Sequence, residues 1–183
     1  KGNHGAFYGN ATYSAADKAF KFDGGDDYIK ASSISGTSTG PFVHSLCVWV
    51  KFNTGTGNAV LSLGTFTGSN GTSTIHANGA GLLSSVFNDN SVHFTNDMTT
   101  STWYFIVITY DGGSVASSRR AFVNGEEVLQ SGTSGTVTSL SLPASPDVYV
   151  GGQSNGNQDL DGLISNPKIY SVALEPSEVR KLY

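Results

Sequence analysis

The chain has 183 residues, 38% hydrophobic and 11% aromatic, with 13% charged and a formal net charge of −4. That length fits one all-β domain, the aromatics furnish a packed core, and ten Lys plus Arg against fourteen Asp plus Glu leave no basic surface for phosphates, which excludes nucleic acid as a partner. Gly, Ser, Thr and Asn dominate while helix formers are few, so long helices are excluded, and no apolar run is long enough to insert in a membrane.

In chain order, residues 19–22 enter the turn Asp23-Gly24-Gly25-Asp26 and 28–30 leave it. Residues 45–52 alternate Leu46, Val48 and Val50 against Cys47, Trp49 and Lys51, the period of a strand. Cys47 is the single cysteine, so a disulfide framework or thiolate zinc site is ruled out and the thiol reads as a small buried apolar group. A strand at 59–63 precedes a Gly-, Ser- and Thr-rich connection over 64–74, and residues 82–87 and 91–94 flank Asn88-Asp89-Asn90 as a hairpin. Trp103 to Tyr110 is the most apolar run and predicts a central strand, with Trp103, Phe105, Val107 and Thr109 on one face and Tyr104, Ile106, Ile108 and Tyr110 on the other. Asn124-Gly125 between 120–123 and 126–129 predicts a type I′ hairpin, because both residues tolerate positive φ. Strands at 147–150 and 162–170 follow, the second holding Pro167, which lacks an N–H and belongs at an edge or bulge. Residues 175–183 carry acids and Pro first and bases last, as a short helix does. The sum is an all-β fold: an antiparallel two-sheet β-sandwich or jelly roll with a short C-terminal helix, a single domain over 1–183. The chain begins at Lys1 without Met, the mark of an excised piece, so the lack of a leader carries no information. Asn10-Ala-Thr12 and Asn70-Gly-Thr72 match the glycosylation pattern, as chance alone provides in so Asn- and Thr-rich a chain.

Four segments in order resemble the laminin-G-like family of concanavalin A-like lectin/glucanase jelly rolls: Phe22-Asp23-Gly24-Gly25-Asp26-Asp27-Tyr28-Ile29; Leu46 through Phe52; Trp103 through Gly112 with Phe122-Val123-Asn124-Gly125-Glu126-Glu127-Val128; and Asp161-Gly162-Leu163-Ile164 with Ile169-Tyr170 and residues 173–179. The likeness runs from about residue 15 to the end and encodes mostly turns and core packing. It implies a concanavalin A-like jelly roll with about six or seven strands in each sheet. It also implies a structural calcium in many members, and most often a carbohydrate- or protein-binding role. Family members usually carry Asp directly after the isoleucine of the last strand, where it often supplies a metal oxygen. Here Ile164 is followed by Ser165 and Asn166, which weakens or displaces any calcium at that position.

Glycosidases of this fold use two carboxylates on one strand, about 5 Å apart in retaining enzymes. The four glutamates are Glu126, Glu127, Glu175 and Glu178, none in that arrangement, and adjacent Glu126 and Glu127 point to opposite faces. That route to catalysis is excluded and the chain reads as a non-enzyme. No Gly-x-Ser-x-Gly elbow accompanies His4, His44, His76 or His93, each of which reads as a surface or loop residue. His93, beside Asn88, Asp89 and Asn90, has the chemistry to bond a sugar hydroxyl. Calcium takes carboxylate and carbonyl oxygens, which Asp23, Gly24 and Asp161 supply if the two ends of the chain meet; the same Asp-Gly pairs also read as plain turns. Sugar recognition calls for amides and a stacking aromatic. The candidates are Asn88, Asn90, His93, Gln153 and Asn155, with Tyr8, Tyr13, Phe66, Phe87 and Phe94 outside the obvious core strands, whereas Trp49 and Trp103 read as packing residues. The expectation is a non-catalytic module binding a glycan or polysaccharide, on an extracellular or virion/cell-surface protein. The alternative is a structural or adhesion module with a protein partner.

Overall fold

The computed structural model describes residues 4–66, 70–156 and 159–183. Its strands are β1 (Gly5–Tyr8), β2 (Thr12–Ser14), β3 (Ala19–Asp23), β4 (Tyr28–Ala31), β5 (His44–Phe52), β6 (Asn58–Gly64), β7 (Thr72–Ala77), β8 (Leu83–Phe87), β9 (Asn90–Phe94), β10 (Trp103–Tyr110), β11 (Arg119–Val123), β12 (Glu126–Val128), β13 (Gln130–Ser134), β14 (Val148–Val150) and β15 (Asp161–Tyr170), followed by α1 (Pro176–Leu182). The order β1-β4-β14-β6-β7-β8-β9-β13 makes one sheet and β12-β11-β10-β5-β15-β3-β2 the other. All pairings are antiparallel, so the fold is the predicted two-sheet sandwich, with eight strands in the first sheet where about seven were expected.

At the centre of the seven-stranded sheet, β10 pairs with β5 from Trp103 opposite Lys51 to Tyr110 opposite His44. Ile106, Ile108 and Tyr110 enter the core between the sheets. Phe105 and Val107 point the other way, into a second cluster with Cys47, Phe122, Leu174 and Val179. Helix α1 closes that second cluster, held by a capping box between Glu175 and Glu178 and by Pro176 in its first turn. Because both faces of β10 are covered, its sequence is a continuous apolar run rather than a polar–apolar alternation. The next hairpin turns on Asn124 (φ 52°) and Gly125 (φ 83°), as predicted. Asn124 also accepts the Phe105 amide on Oδ1 at 2.9 Å, fastening the turn to β10.

Pro167 occupies a bulge: the register of β15 against β5 slips between Ser165 and Lys168, and β3 stops pairing with β15 at Ile164. Strands β1, β2, β7 and β13 were not expected. Of these, β7 begins inside the stretch read as a connection, and its Thr72, Ser73 and Thr74 are each 1% exposed between β6 and β8. His44 overturns the surface reading of the histidines. It is fully buried, with Nδ1 donating to the Phe42 carbonyl (2.7 Å) and Nε2 paired with Ser73 Oγ of the opposite sheet (2.8 Å). Among the described residues no helix is long and apolar enough to cross a membrane.

Candidate functional site

The sequence-predicted ligand residues do not form one site. Asn88 lies half-buried at the tip between β8 and β9, with its amide donating to Asp89 Oδ1 at 3.3 Å. Asn155 is exposed between β14 and β15, while Gln153 on the same segment is buried. Asn90 is not a loop amide. It opens β9 opposite Phe87, points inward with Val92 and Phe94, and is 3% exposed. Its Nδ2 donates to Asn70 Oδ1 (2.7 Å) and its Oδ1 accepts from Arg119 Nη2. Arg119 is fully buried and has no carboxylate in ion-pair range among the described residues. It donates instead to the carbonyls of Ser85 (3.3 Å) and Thr138 (3.2 Å) and lies 3.4 Å above the Phe87 ring, and burial lowers its pKa to about 10. Phe87 and Phe94 are core residues; Tyr8 and Tyr13 are exposed, and Phe66 is half-buried. Asn70 of the second glycosylation pattern also bonds inward, its Nδ2 donating to Thr138 Oγ1 at 2.6 Å.

His93 does project outward, in register with Ser84 and His76 across β9, β8 and β7. Both its ring nitrogens are engaged, Nδ1 with Ser84 Oγ and Nε2 with Ser134 Oγ, each at 2.7 Å. His76 is half-buried and desolvation pulls its pKa down.

The same outer face carries an arrangement that sequence reading reached only through Tyr8. Tyr8 of β1 stands opposite Tyr28 of β4, and Lys30 of β4 opposite Tyr149 of β14. Alternation sends Ile29, Val148 and Val150 into the core and these four side chains outward. Tyr8 and Tyr28 stack with centroids 4.6 Å apart and planes 10° from parallel, and Tyr149 lies 5.8 Å beyond Tyr28. Lys30 Nζ sits 5.4 Å from the Tyr149 ring centre and 2.9 Å from Asp147 Oδ2. Burial alone would raise the Asp147 carboxyl, but hydrogen bonds from Lys30 and the Ser33 amide outweigh it and hold the group below its ordinary pKa. Further across the sheet Ser62 and Thr74 are covered: Ser62 Oγ donates to the Gly152 carbonyl at 3.1 Å, and the Phe66 amide to Ser154 Oγ. The segment after β14 is thereby tied down over β6, beside the tyrosines. Tyr8 keeps 42% of its surface, so its open ring face, the Lys30 ammonium and the Asp147 carboxylate together offer a stacking platform with a donor and an acceptor at its edge. Tyr28 and Tyr149 carried no sequence signal, because only strand pairing brings them together.

The metal candidates meet in part. Asp23 and Asp161 are register partners in the β3–β15 ladder, with Gly24 at φ 83° packed on Asp161. Their oxygens already accept amides: Asp23 from Gly25 N (3.1 Å) and Asn10 Nδ2 (3.5 Å), Asp161 from Asn53 Nδ2 (2.8 Å). Among the described residues no group of three or more His, Cys, Asp or Glu is placed to hold a metal, so a calcium at Asp23, Gly24 and Asp161 would draw on backbone carbonyls beside the two carboxylates. Ser165 donates to the Lys18 carbonyl at 3.0 Å, a tie between β15 and the start of β3. Among the described residues Asp159 is a buried acid, 8% exposed, whose Oδ1 has no hydrogen-bond partner, and its pKa is raised to about 6 by burial and by Asp26 and Asp27.

The family model described as the concanavalin A-like lectin/glucanases superfamily, Laminin_G_3, matches residues 23–180. The chain belongs to that superfamily. No curated protein sequence is similar to this concanavalin A-like domain. Among solved structures it is similar to domain 4 of AbnA, a GH43 extracellular arabinanase from Geobacillus stearothermophilus in complex with arabinotriose. That pair shares 19% identity at a TM-score of 0.69, over 97% of this chain and 87% of the other. Trypanosoma rangeli sialidase follows at 16% identity and a TM-score of 0.67, the domain spanning 94% of its own length but only 28% of the sialidase. The receptor-binding domain of botulinum neurotoxin D matches at 14% identity and 0.60, over 98% of this chain and 46% of that one. At these identities the likeness is one of fold.

Proposed function

We propose that this domain is a carbohydrate-binding module that holds its glycan against Tyr8, Tyr28 and the Lys30–Asp147 pair without cleaving it, on an extracellular or virion/cell-surface protein. The stacked, half-open tyrosines carry the reading, since an aromatic face beside a charged donor and acceptor suits the apolar face and the hydroxyls of a sugar. The arabinotriose complex of the similar arabinanase domain supports it. What supports the absence of cleavage is the occupation of all four glutamates: Glu127 pairs with Arg120 (2.6 Å), Glu126 with Arg180 (3.4 Å), and Glu175 and Glu178 cap α1.

The test is a glycan array followed by titration of the best ligand. Tyr8→Ala should weaken binding by about 0.5–1.5 kcal/mol with the melting temperature nearly unchanged. Unaltered affinity in Tyr8→Ala and Lys30→Ala refutes the site, and release of shorter products refutes the non-catalytic role. Calcium belongs to the same proposal as a structural cofactor joining the Asp23-Gly24 turn to Asp161; that Asp23 and Asp161 are partners in the β3–β15 ladder supports it. Calcium added after chelation should raise the melting temperature, by the equivalent of about 2.7 kcal/mol at a hundredfold excess over its dissociation constant; an Asp161→Asn variant should show no such rise.

A further inference from the structure

Charge of one sign surrounds the tyrosine platform. In the eight strands of its sheet, Lys30 is the single Lys or Arg. Its ammonium is committed to Asp147 at 2.9 Å, so the pair presents a donor and an acceptor with no surplus positive charge. Acids gather at the other edge. Asp26 and Asp27 lead directly into Tyr28 at the start of β4, and Asp26 is exposed. Gly9, the residue after Tyr8, packs on both: a methyl group added there would lie 2.6 Å from Asp27 Oδ1 and 2.8 Å from Asp26 Oδ1. Asp159 reaches the same end from the segment after β14, since a methyl group on Gly152 would lie 2.7 Å from its Oδ1 and 3.1 Å from Tyr28 Cβ. Asp23 and its ladder partner Asp161 adjoin them, the Asp23 amide donating to Asp27 Oδ2 at 2.7 Å. Among the described residues none of these five acids has a cation in ion-pair range.

We infer that the platform selects an uncharged oligosaccharide and turns away acidic ones, uronates and sialylated glycans alike. A sugar carboxylate laid against Tyr8 would enter the field of Asp26, Asp27 and Asp159 on one side and face Asp147 on the other. The one ammonium able to receive it is already paired. Sugar hydroxyls meet no such repulsion, because Lys30 and Asp147 supply both the donor and the acceptor that a hydroxyl needs. A calcium between Asp23 and Asp161 would offset two of the five negative charges and leave the sign unchanged. The acids hold no ligand themselves; their field discriminates between ligands held elsewhere. This inference rests on the reading of the tyrosines as the glycan site.

The experiment uses an array of matched pairs: galactans beside polygalacturonates, cello-oligosaccharides beside glucuronans, and lactosides with and without sialic acid. The tightest pair is then titrated in chelator at about pH 8, where carboxyls are ionised, and at about 20 mM salt. The neutral member should bind about tenfold or more tighter than its acidic partner, and the gap should narrow at about 0.5 M salt. Asp147→Asn releases the Lys30 ammonium, and Asp26→Asn removes the exposed charge beside Gly9. Each should raise affinity for the acidic member relative to the neutral one, by about threefold or more. An acidic member that binds as well as its partner, and loses affinity in Tyr8→Ala, overturns the inference and leaves the platform standing. A gap unchanged in both Asn variants, or indifferent to salt, overturns it equally. Binding of no pair, or binding that Tyr8→Ala and Lys30→Ala leave intact, removes the platform and the inference together.

Discussion

Asn90 commits both ends of its amide inward, one to Asn70 and one to Arg119. Truncating it strands a guanidinium hydrogen in a site with no acid nearby. Asn90→Ala should therefore cost about 1–3 kcal/mol in urea unfolding, and titration should find glycan affinity unchanged, the reverse of the Tyr8→Ala pattern. The sequence displayed the amides at 88 and 90 but not where the strand begins. Pairing of Phe87 with Asn90 leaves a two-residue tip, and a start one residue later would have turned Asn90 outward and Ser91 in. Gln153 shows the same blindness: a polar run reads as a solvated loop, yet its side chain is 4% exposed. The polar side chains themselves were legible, while their side of the backbone was not.

Strand β10 is the element whose sequence and structure agree residue for residue, because a run covered on both faces needs apolar side chains at every position. Ile106, at 0% exposure in the centre of that strand, supports contacts to both neighbours, β5 and β11. Ile106→Ala should lower stability by about 2–5 kcal/mol, read as a shifted midpoint at constant slope in denaturant. Strands without such demands were illegible. β13 is exposed at all five residues and forms an edge, where polar side chains on both faces are an asset. The first half of β7 is buried by small hydroxyl residues that bond sideways, as Thr74 Oγ1 does to Ser62 Oγ at 3.1 Å, so burial there leaves no apolar trace and only Ile75 and Ala77 mark the strand's core face.

The two sheets are joined across the core by polar ties as well as by apolar packing, Arg119 to Asn90 and His44 to Ser73. The second tie makes the whole sandwich sensitive to acid. Burial lowers the His44 pKa from 6.5 to about 4, so the unfolded chain takes up the proton first. The stability held above pH 6.5 is lost as pH falls from 6.5 toward 4, at about 1.4 kcal/mol per pH unit, or roughly 2 kcal/mol by pH 5. Denaturation of wild type and His44→Gln at matched pH should show their difference in stability varying with that slope and levelling above pH 7; a constant difference would refute it. On the opposite face of the seven-stranded sheet, α1 roofs a cluster that encloses the free thiol of Cys47, which burial pushes up to about 12. Thiol reagents attack the thiolate, so Cys47 can be modified only in molecules whose roof has lifted. The sandwich thus carries its own stopwatch: the labelling rate of one native side chain times the detachment of the C-terminal helix from an otherwise folded domain, with no dye, tag or added cysteine.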